Sequence, residues 1–151
     1  MSTNFTSLFS EISIVVVSAY ENTRLYKTLS SIPSGLSEIE IILVVPVDDD
    51  IELGLMDELK VRVVRDSGHW VYQAMNVGVQ CASKTHVLFS NTGDELINHQ
   101  SLQICLRDTY EKDETSYLFP VSVGWDEDLN SRQISLPGFL SAKRNSYVSH
   151  Q

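Results

Sequence analysis

Apolar residues occur along the chain in short continuous runs separated by amphipathic segments. Residues 12–18 (ISIVVVS) and 39–45 (IEIILVV) form two runs rich in β-branched residues. Such runs are typical of strands that helices cover on both faces of a parallel sheet. Shorter runs at residues 61–64 and 86–90 predict two further strands. We expect the first run to be a central strand of the sheet.

The segments between these runs carry apolar residues at helical spacing. Leu25, Leu29 and Ile32 recur in this way, and either Asn22 or Thr23 can cap the helix that contains them. A strand, a loop and a helix therefore open the chain.

Residues 71–82 predict a second well-defined helix. One of its faces carries four apolar residues: Val71, Met75, Val79 and Ala82. Small residues lie beside this face, where the helix must pack closely on the sheet: Ala74, Gly78 and Cys81. Weaker patterns predict a short helix at residues 53–59, a helix at 101–110, and strands at 117–121 and 133–136.

Strands that alternate with helices indicate an α/β fold with a mostly parallel, Rossmann-like sheet flanked by helices. At 151 residues and 42% hydrophobic content, the chain is long enough for one ordinary core. We therefore expect a single domain over residues 1–151, with its core at about residues 12–121 and a short irregular part at 122–151.

Charge and targeting signals narrow the function classes. The 20 acidic residues outnumber the 11 basic ones, and the net charge of −9 repels a nucleic-acid backbone. Residues 1–13 contain neither a positive segment nor an apolar run of signal-peptide length, and no later run approaches a membrane span. We expect a cytoplasmic protein without nucleic-acid partners, in which Cys81 and Cys105 stay reduced.

Ligand sites of open α/β sheets lie beyond the carboxyl ends of the strands. This rule selects four loops, at residues 18–22, 46–50, 65–70 and 90–95. The sequence contains neither of the glycine-rich phosphate motifs GxGxxG and GxxxxGKS/T, so a bound phosphate needs another partner. A divalent cation on Asp94 is one such partner, although an acidic residue at this place is also a common turn residue.

Four segments follow one another along the chain: VSAYENTRLYKTLSSI, EIEIILVV, WVYQAMNVGVQCAS and HVLFSNTGDEL. Together they resemble the N-terminal half of family 2 glycosyltransferases, over about residues 12–96. The sharpest parts are YQAMNVG, which is similar to the family's YDAMNKG, and FSNTGDEL, which is similar to its FLNSGDEL. The resemblance implies a GT-A fold that binds a UDP-sugar donor with Mn²⁺ or Mg²⁺.

In that family the loop after the first strand lies against the nucleobase. The resemblance gives this place to Ser18, Ala19, Tyr20 and Glu21. The Tyr20 ring can stack on the base or pack over the neighbouring helix, and the sequence favours neither.

The loop after the second strand usually supplies an aspartate that hydrogen-bonds the base. In this chain Pro46 takes the place of that aspartate. Either Asp48 replaces it after a small shift or the contact is lost. A solvated acidic turn is an equally good interpretation of Asp49 and Asp50.

The same resemblance implies further donor-site residues. Arg65 and Asp66 match positions near the base and the diphosphate, where Arg65 can face a phosphate. Trp70 stands where the family has a glycine before its YDAMNKG helix, so the loop beside the donor sugar is expected to be reshaped. Gln73 and Asn76 can reach sugar or ribose hydroxyls, or they can face solvent as ordinary polar residues.

The metal position implied by the resemblance is Asn91-Thr92-Gly93-Asp94, where many family members have Asp-x-Asp. Asp94 keeps one carboxylate, whereas Asn91 offers an amide oxygen without charge. We expect Mn²⁺ or Mg²⁺ to bind weakly in the absence of the diphosphate, next to which Thr92 and Gly93 would also lie.

Family members usually continue well beyond the motif that the terminal Ser149-His150-Gln151 resembles, and their later region holds the acceptor surface and an acidic general base. Residues 122–151 would then be a partial acceptor-side segment of a chain truncated after the donor-binding half. The late acidic cluster, residues 126–128, fits solvated loop residues better than a base, so the catalytic residue stays unknown.

Two functions therefore stay open. One is a compact glycosyltransferase that transfers a sugar from a UDP-sugar to an unknown acceptor. The other is a nucleotide-sugar-binding module that has no turnover of its own and acts with a partner. A homodimer that covers exposed sheet surface is a further expectation.

Overall fold

The computed structural model describes residues 11–32, 38–67 and 69–96, positions 103 and 107, and the backbone of two short strands near the carboxyl terminus. Contacts between residues divide the chain into two compact units, Met1–Gln103 and Ile104–Gln151. The first unit contains every element that bears on the candidate site.

Strands and helices alternate through the described part of the first unit. The elements are β1 (Ile12–Val17), α1 (Asn22–Ser31), β2 (Glu40–Pro46), α2 (Leu53–Glu58), β3 (Val61–Asp66), α3 (Val71–Cys81) and β4 (His86–Asn91). In the second unit, β5 (Val121–Val123) and β6 (Arg132–Ile134) pair antiparallel.

The four strands of the first unit form one parallel sheet in the order β3-β2-β1-β4. The strand order reverses at β1, because β2 and β4 lie on opposite sides of it. The inner strands are mostly apolar on both faces, and their most deeply buried apolar residues are Ile14, Val15, Val16, Ile42, Leu43, Val44 and Val45. The predicted α/β fold with a central first strand is confirmed.

Two of the differences from the sequence prediction concern the end of β3 and the cap of α1. β3 continues to Asp66, two residues further than predicted, because Asp66 pairs with Pro46 and its carbonyl accepts a hydrogen bond from Val47 at 3.0 Å. α1 has no side-chain cap, since the amide of Asn22 donates instead to the carbonyl of Asp50 at 3.0 Å. Both differences result from contacts between separate loops at the same edge of the sheet.

The close packing of α3 on the sheet through Ala74 and Gly78 is as predicted, but part of the predicted apolar face is exposed. Ala74 and Gly78 are its buried residues, whereas Val71 and Val79 are 46% and 40% exposed. A Cβ atom added at Gly78 would lie 3.2 Å from Cγ2 of Val15 and still closer to Cγ1. The helix therefore packs so closely on β1 that only small residues fit between them.

Several predictions fall on parts of the chain outside the described residues. These are most of the helix over residues 101–110, the strand over 117–120, Cys105, the acidic cluster at 126–128, and the terminal residues 149–151. The sequence predicts a reduced, buried thiol at Cys81; its thiol is free, but the residue is only half-buried. Among the helices that the structure describes, none has the length and apolar content needed to cross a membrane.

Ser13, Glu40 and Ser83 form a hydrogen-bonded polar clasp at the end of the sheet opposite the predicted ligand loops. The carboxylate of Glu40 accepts hydrogen bonds from the Ser13 hydroxyl, the Ser83 hydroxyl and the Ser83 backbone N–H. Burial raises the pKa of Glu40, but these hydrogen bonds and the nearby charge of Arg62 outweigh burial and lower it overall. The clasp ties the loop before β4 to β1 and β2.

Glu40→Gln is expected to lower the free energy of unfolding by about 1 kcal/mol at pH 7, because it removes charged acceptors. The folded pKa is lowered, so the clasp stabilises fully above the ordinary glutamate pKa of 4.5 and loses this effect as the pH falls through the folded value. Urea unfolding between pH 7 and pH 3 should show that the difference in stability between wild-type protein and Glu40→Gln becomes smaller in acid. The exposed Glu58→Gln is the control, and equal behaviour of the two variants would contradict the assignment.

Candidate functional site

A cavity of about 460 Å³ opens at the carboxyl edge of the parallel sheet. The ends of β1, β2, β3 and β4 all contribute to it, together with the first turns of α1 and α3. Its lining residues are Val17, Ser18, Ala19, Glu21, Arg24, Pro46, Asp66, His69, Trp70, Val71, Ala74, Asn91 and Thr92. The cavity therefore lies at the topological switch point, where ligands bind in open α/β sheets.

Two buried polar residues line this cavity. Ser18 is 4% exposed and Asp66 is 7% exposed. The backbone N–H of Ser18 donates to Val44 at 3.1 Å, and this bond fixes the residue at the end of β1. Within the part of the chain that the structure describes, the Ser18 hydroxyl has no hydrogen-bond partner. An unsatisfied buried hydroxyl costs about 1–3 kcal/mol, which a bound polar ligand would recover.

The loop after β1 and the acidic loop after β2 are locked together at one side of the cavity. The carboxylate of Asp49, which is 4% exposed, accepts the Tyr20 backbone N–H at 2.8 Å. Asp48 accepts the Tyr20 hydroxyl at 2.7 Å. That hydrogen bond, with smaller contributions from burial and from the charges of Asp48 and Asp49, raises the pKa of Tyr20. Tyr20 itself has a left-handed backbone, with φ of 57°.

Arg65 stabilises the same acidic loop from the neighbouring strand. Its Nη1 atom donates to the carbonyl of Pro46 at 2.9 Å and also to the carbonyl of Asp49. These bonds hold the guanidinium against the loop, and Arg65 does not line the cavity. Arg65 therefore stabilises the backbone conformation of residues 46–49.

A tight turn follows β4 on the other side of the cavity. The backbone N–H and the hydroxyl of Thr92 both donate to the carbonyl of Val17 at 3.1 Å. The carboxylate of Asp94 accepts the N–H of Asn91 at 2.7 Å, and the Asp94 N–H returns a bond to the Asn91 carbonyl at 2.9 Å. Gly93 has φ of 98°, which a residue with a side chain rarely adopts. Residues 91–94 are thereby fixed relative to β1.

Two hydroxyl groups of α1 bind the chain at and beyond this turn. The buried Thr28 hydroxyl accepts the N–H of Gly93 at 2.9 Å and donates to the Arg24 carbonyl at 3.2 Å. One turn later, Ser31 accepts the N–H of Leu96 at 2.9 Å. The position of α1 is therefore coupled directly to the turn at residues 91–94.

Solved structures of three glycosyltransferase chains superimpose on this architecture. S. aureus TarS matches with a TM-score of 0.55 and 20% identity, over 68% of this chain and 20% of TarS. The 1–349 portion of TarS matches with a TM-score of 0.56 and 20% identity, over 67% of this chain and 32% of the other. A mannosyltransferase from Pyrobaculum calidifontis, solved in complex with GDP-Man and Mn²⁺, matches with a TM-score of 0.52 and 13% identity, over 62% and 30% of the two chains.

The chain has a GT-A-type glycosyltransferase fold. The similarity extends over about a fifth to a third of the length of these enzymes. No protein-family model matches the sequence, and no curated protein matches it. The GT-A fold implied by the sequence resemblance is thus confirmed by three-dimensional similarity.

About half of the residues that the sequence assigned to a donor site line the cavity at the carboxyl edge of the sheet. Those that line it are Ser18, Ala19, Glu21, Pro46, Asp66, Trp70, Asn91 and Thr92. Those that do not are Tyr20, Asp48, Arg65, Gln73, Asn76, Gly93 and Asp94. The first group lies at the ends of β1 to β4 and at the start of α3, whereas most of the second group contacts other parts of the protein.

The contacts of several residues in the second group explain why these residues do not line the cavity. Asp48 and Asp49 hold Tyr20, so a solvated turn does not describe the buried Asp49. The Gln73 amide donates to the Ser67 hydroxyl at 2.7 Å. The Asp94 carboxylate stabilises the turn on which the lining residue Asn91 lies.

Sequence reasoning missed several lining residues, and Arg24 and His69 are the two with functional side chains. Arg24 lies in the first turn of α1, directly after the loop at the end of β1. The helix that follows the first strand at a switch point is a standard ligand position, so this placement was a usable signal. His69 lies in the loop at residues 65–70, one of the four selected loops, but no motif in the sequence identified it.

Proposed function

We propose that the cavity binds the nucleoside diphosphate part of a nucleotide-sugar donor, a UDP-sugar, for glycosyl transfer to an acceptor. The observation that carries this proposal is the convergence of polar groups from three strands on one cavity. Ser18 follows β1, Asp66 ends β3, Asn91 ends β4, and Thr92 comes directly after it. Convergence at the switch point of a GT-A fold is what nucleotide binding requires.

Ser18 and Asp66 are the residues best suited to the base and ribose. The buried hydroxyl of Ser18 offers a donor and an acceptor, and the carboxylate of Asp66 accepts the N–H or O–H groups of a nucleoside. Pro46 lies between the two and has no side-chain polar group, so it provides an apolar wall for a flat base. Trp70, which is 72% exposed, offers an aromatic face at the opening.

We further propose that the turn after β4 contributes the protein ligands of a single Mn²⁺ or Mg²⁺ ion. Asn91 supplies an amide oxygen, and Asp94 supplies a carboxylate of which one oxygen already accepts the Asn91 N–H. Hard cations prefer such oxygen ligands. Within the described residues no group of three or more His, Cys, Asp or Glu side chains forms a metal cluster. The ion would therefore take further ligands from the diphosphate, whose charge it would neutralise.

Calorimetric titration with UDP and with GDP, in Mn²⁺ and in EDTA, tests donor binding. We expect one of the two nucleotides to bind wild-type protein with an affinity that Mn²⁺ increases, and we expect UDP to bind more tightly. Absence of binding by both nucleotides would contradict the proposal. Tighter binding of GDP would keep the donor site and correct the base.

A turnover assay distinguishes glycosyl transfer from nucleotide-sugar binding alone. Release of UDP from a panel of UDP-sugars, with and without acceptor sugars, is the measurement. Release that Asp66→Asn abolishes would show that the same cavity supports the reaction. Binding without release would support a nucleotide-sugar-binding module that acts with a partner.

A further inference from the structure

We propose that Arg24 is a direct ligand of the donor's distal phosphate and supplies positive charge that the turn after β4 lacks. This inference rests on the proposed donor function and adds a residue that the family resemblance does not assign. Arg24 lines the cavity from the first turn of α1. It would share the neutralisation of the diphosphate with the divalent cation.

The charge of the cavity requires such a residue. The lining side chains include the acidic Glu21 and Asp66, whereas Asn91 replaces a carboxylate with a neutral amide. A cation held by one carboxylate and one amide binds more weakly than one held by two carboxylates. A second positive group on the protein therefore contributes more to diphosphate binding here than it would beside an Asp-x-Asp motif.

Arg24 has the right position for this role. Its Cδ atom lies 3.7 Å from the point that a Cβ on Gly93 would occupy, so its aliphatic chain lies beside Gly93. The Arg24 carbonyl and the Gly93 N–H both bind the Thr28 hydroxyl, which fixes α1 against that turn. The Arg24 side chain therefore lies beside the turn that would hold the proposed cation.

The guanidinium is also available to a ligand. Its ion pair with Glu21 is 3.7 Å long, and the two side chains are 69% and 52% exposed. Exposed pairs of this kind contribute little to stability, so a phosphate can replace the carboxylate. Arg65, in contrast, is held by the carbonyls of Pro46 and Asp49. A guanidinium presents a planar fork of donors that matches phosphate oxygens.

Paired titrations with a nucleoside diphosphate and its monophosphate test this role. Arg24→Gln should weaken binding of the preferred diphosphate, UDP or GDP, by about tenfold or more, and that of the monophosphate by clearly less. Arg24→Lys should retain part of the affinity. In EDTA the loss should be larger, because no cation then shares the charge. Glu21→Gln, which removes the competing carboxylate, should tighten diphosphate binding.

Lys27→Gln is the matched control, because Lys27 is an exposed cation on the same helix that does not line the cavity. Unchanged diphosphate affinity in Arg24→Gln would overturn the role of Arg24 and leave the donor site intact. An equal loss for diphosphate and monophosphate would also overturn it, since that pattern indicates a structural effect. Absence of nucleotide binding by wild-type protein would overturn the proposed function, and this inference with it.

Discussion

Gly78→Ala is expected to lower the free energy of unfolding by about 2 kcal/mol, although alanine is the better helix former by about 1 kcal/mol. The new methyl group would overlap the side chain of Val15, which is fully buried at the centre of the sheet. Val15 is β-branched and has little rotamer freedom, so α3 must move away from β1. Urea unfolding followed by circular dichroism measures the effect.

Gly54→Ala is the matched control for this substitution. Gly54 also lies in a helix, but a Cβ added there would have no atom within 4 Å. The exchange should leave stability unchanged or raise it by up to about 1 kcal/mol. If Gly78→Ala were as stable as Gly54→Ala, the close packing of α3 on β1 would be wrong. Gly78→Ala should lower the free energy of unfolding less in a Val15→Ala background than in the wild-type protein, because the two residues are in contact.

Asp94→Asn is expected to lower Mn²⁺-dependent nucleotide binding by about tenfold or more, because the proposed cation would lose its charged ligand. Asparagine keeps a side-chain oxygen that can accept the Asn91 N–H, so the turn itself should persist. The converse variant, Asn91→Asp, adds a second carboxylate and should tighten Mn²⁺-dependent binding by a similar factor. Calorimetry in Mn²⁺ and in EDTA measures both effects.

Glu95→Gln provides the control for Asp94→Asn, since Glu95 is an exposed neighbour with the same charge. It should change the Mn²⁺ dependence little. The assignment of the cation to this turn would be contradicted if Asp94→Asn retained the full Mn²⁺ dependence of wild-type protein. A loss of binding in EDTA as well as in Mn²⁺ would instead indicate that the turn had been disrupted.

The sequence predicts the sheet well because burial on both faces leaves a local signal. The apolar runs at residues 12–18 and 39–45 depend only on neighbouring residues, and they coincide with β1 and β2 to within one residue at each end. The buried face of α3 was predicted less well. Which face of a helix is buried depends on the distance to the sheet, and at position 78 the Val15 side chain leaves no room for a residue larger than glycine.

The candidate site could be predicted only in part, for a similar reason. Ser18 and Asn91 belong to strand ends and follow directly from the sheet topology. The bonds from Tyr20 to Asp48 and Asp49 join residues 28 and 29 positions apart, and nothing local reveals them. The sequence resemblance likewise assigns Arg65 as a phosphate ligand. Its hydrogen-bond partners are the carbonyls of Asp49 and Pro46, which lie 16 and 19 positions away along the chain.

We propose that a nucleoside diphosphate binds at the carboxyl edge of this GT-A sheet. Chemical-shift mapping of the backbone amides during titration with UDP and Mg²⁺ tests it most directly, because it locates the ligand. We expect the largest changes at Ser18, Asp66 and Thr92, and none at Ser83 in the clasp at the opposite end. Changes centred on the clasp, or no changes at either end, would contradict the account.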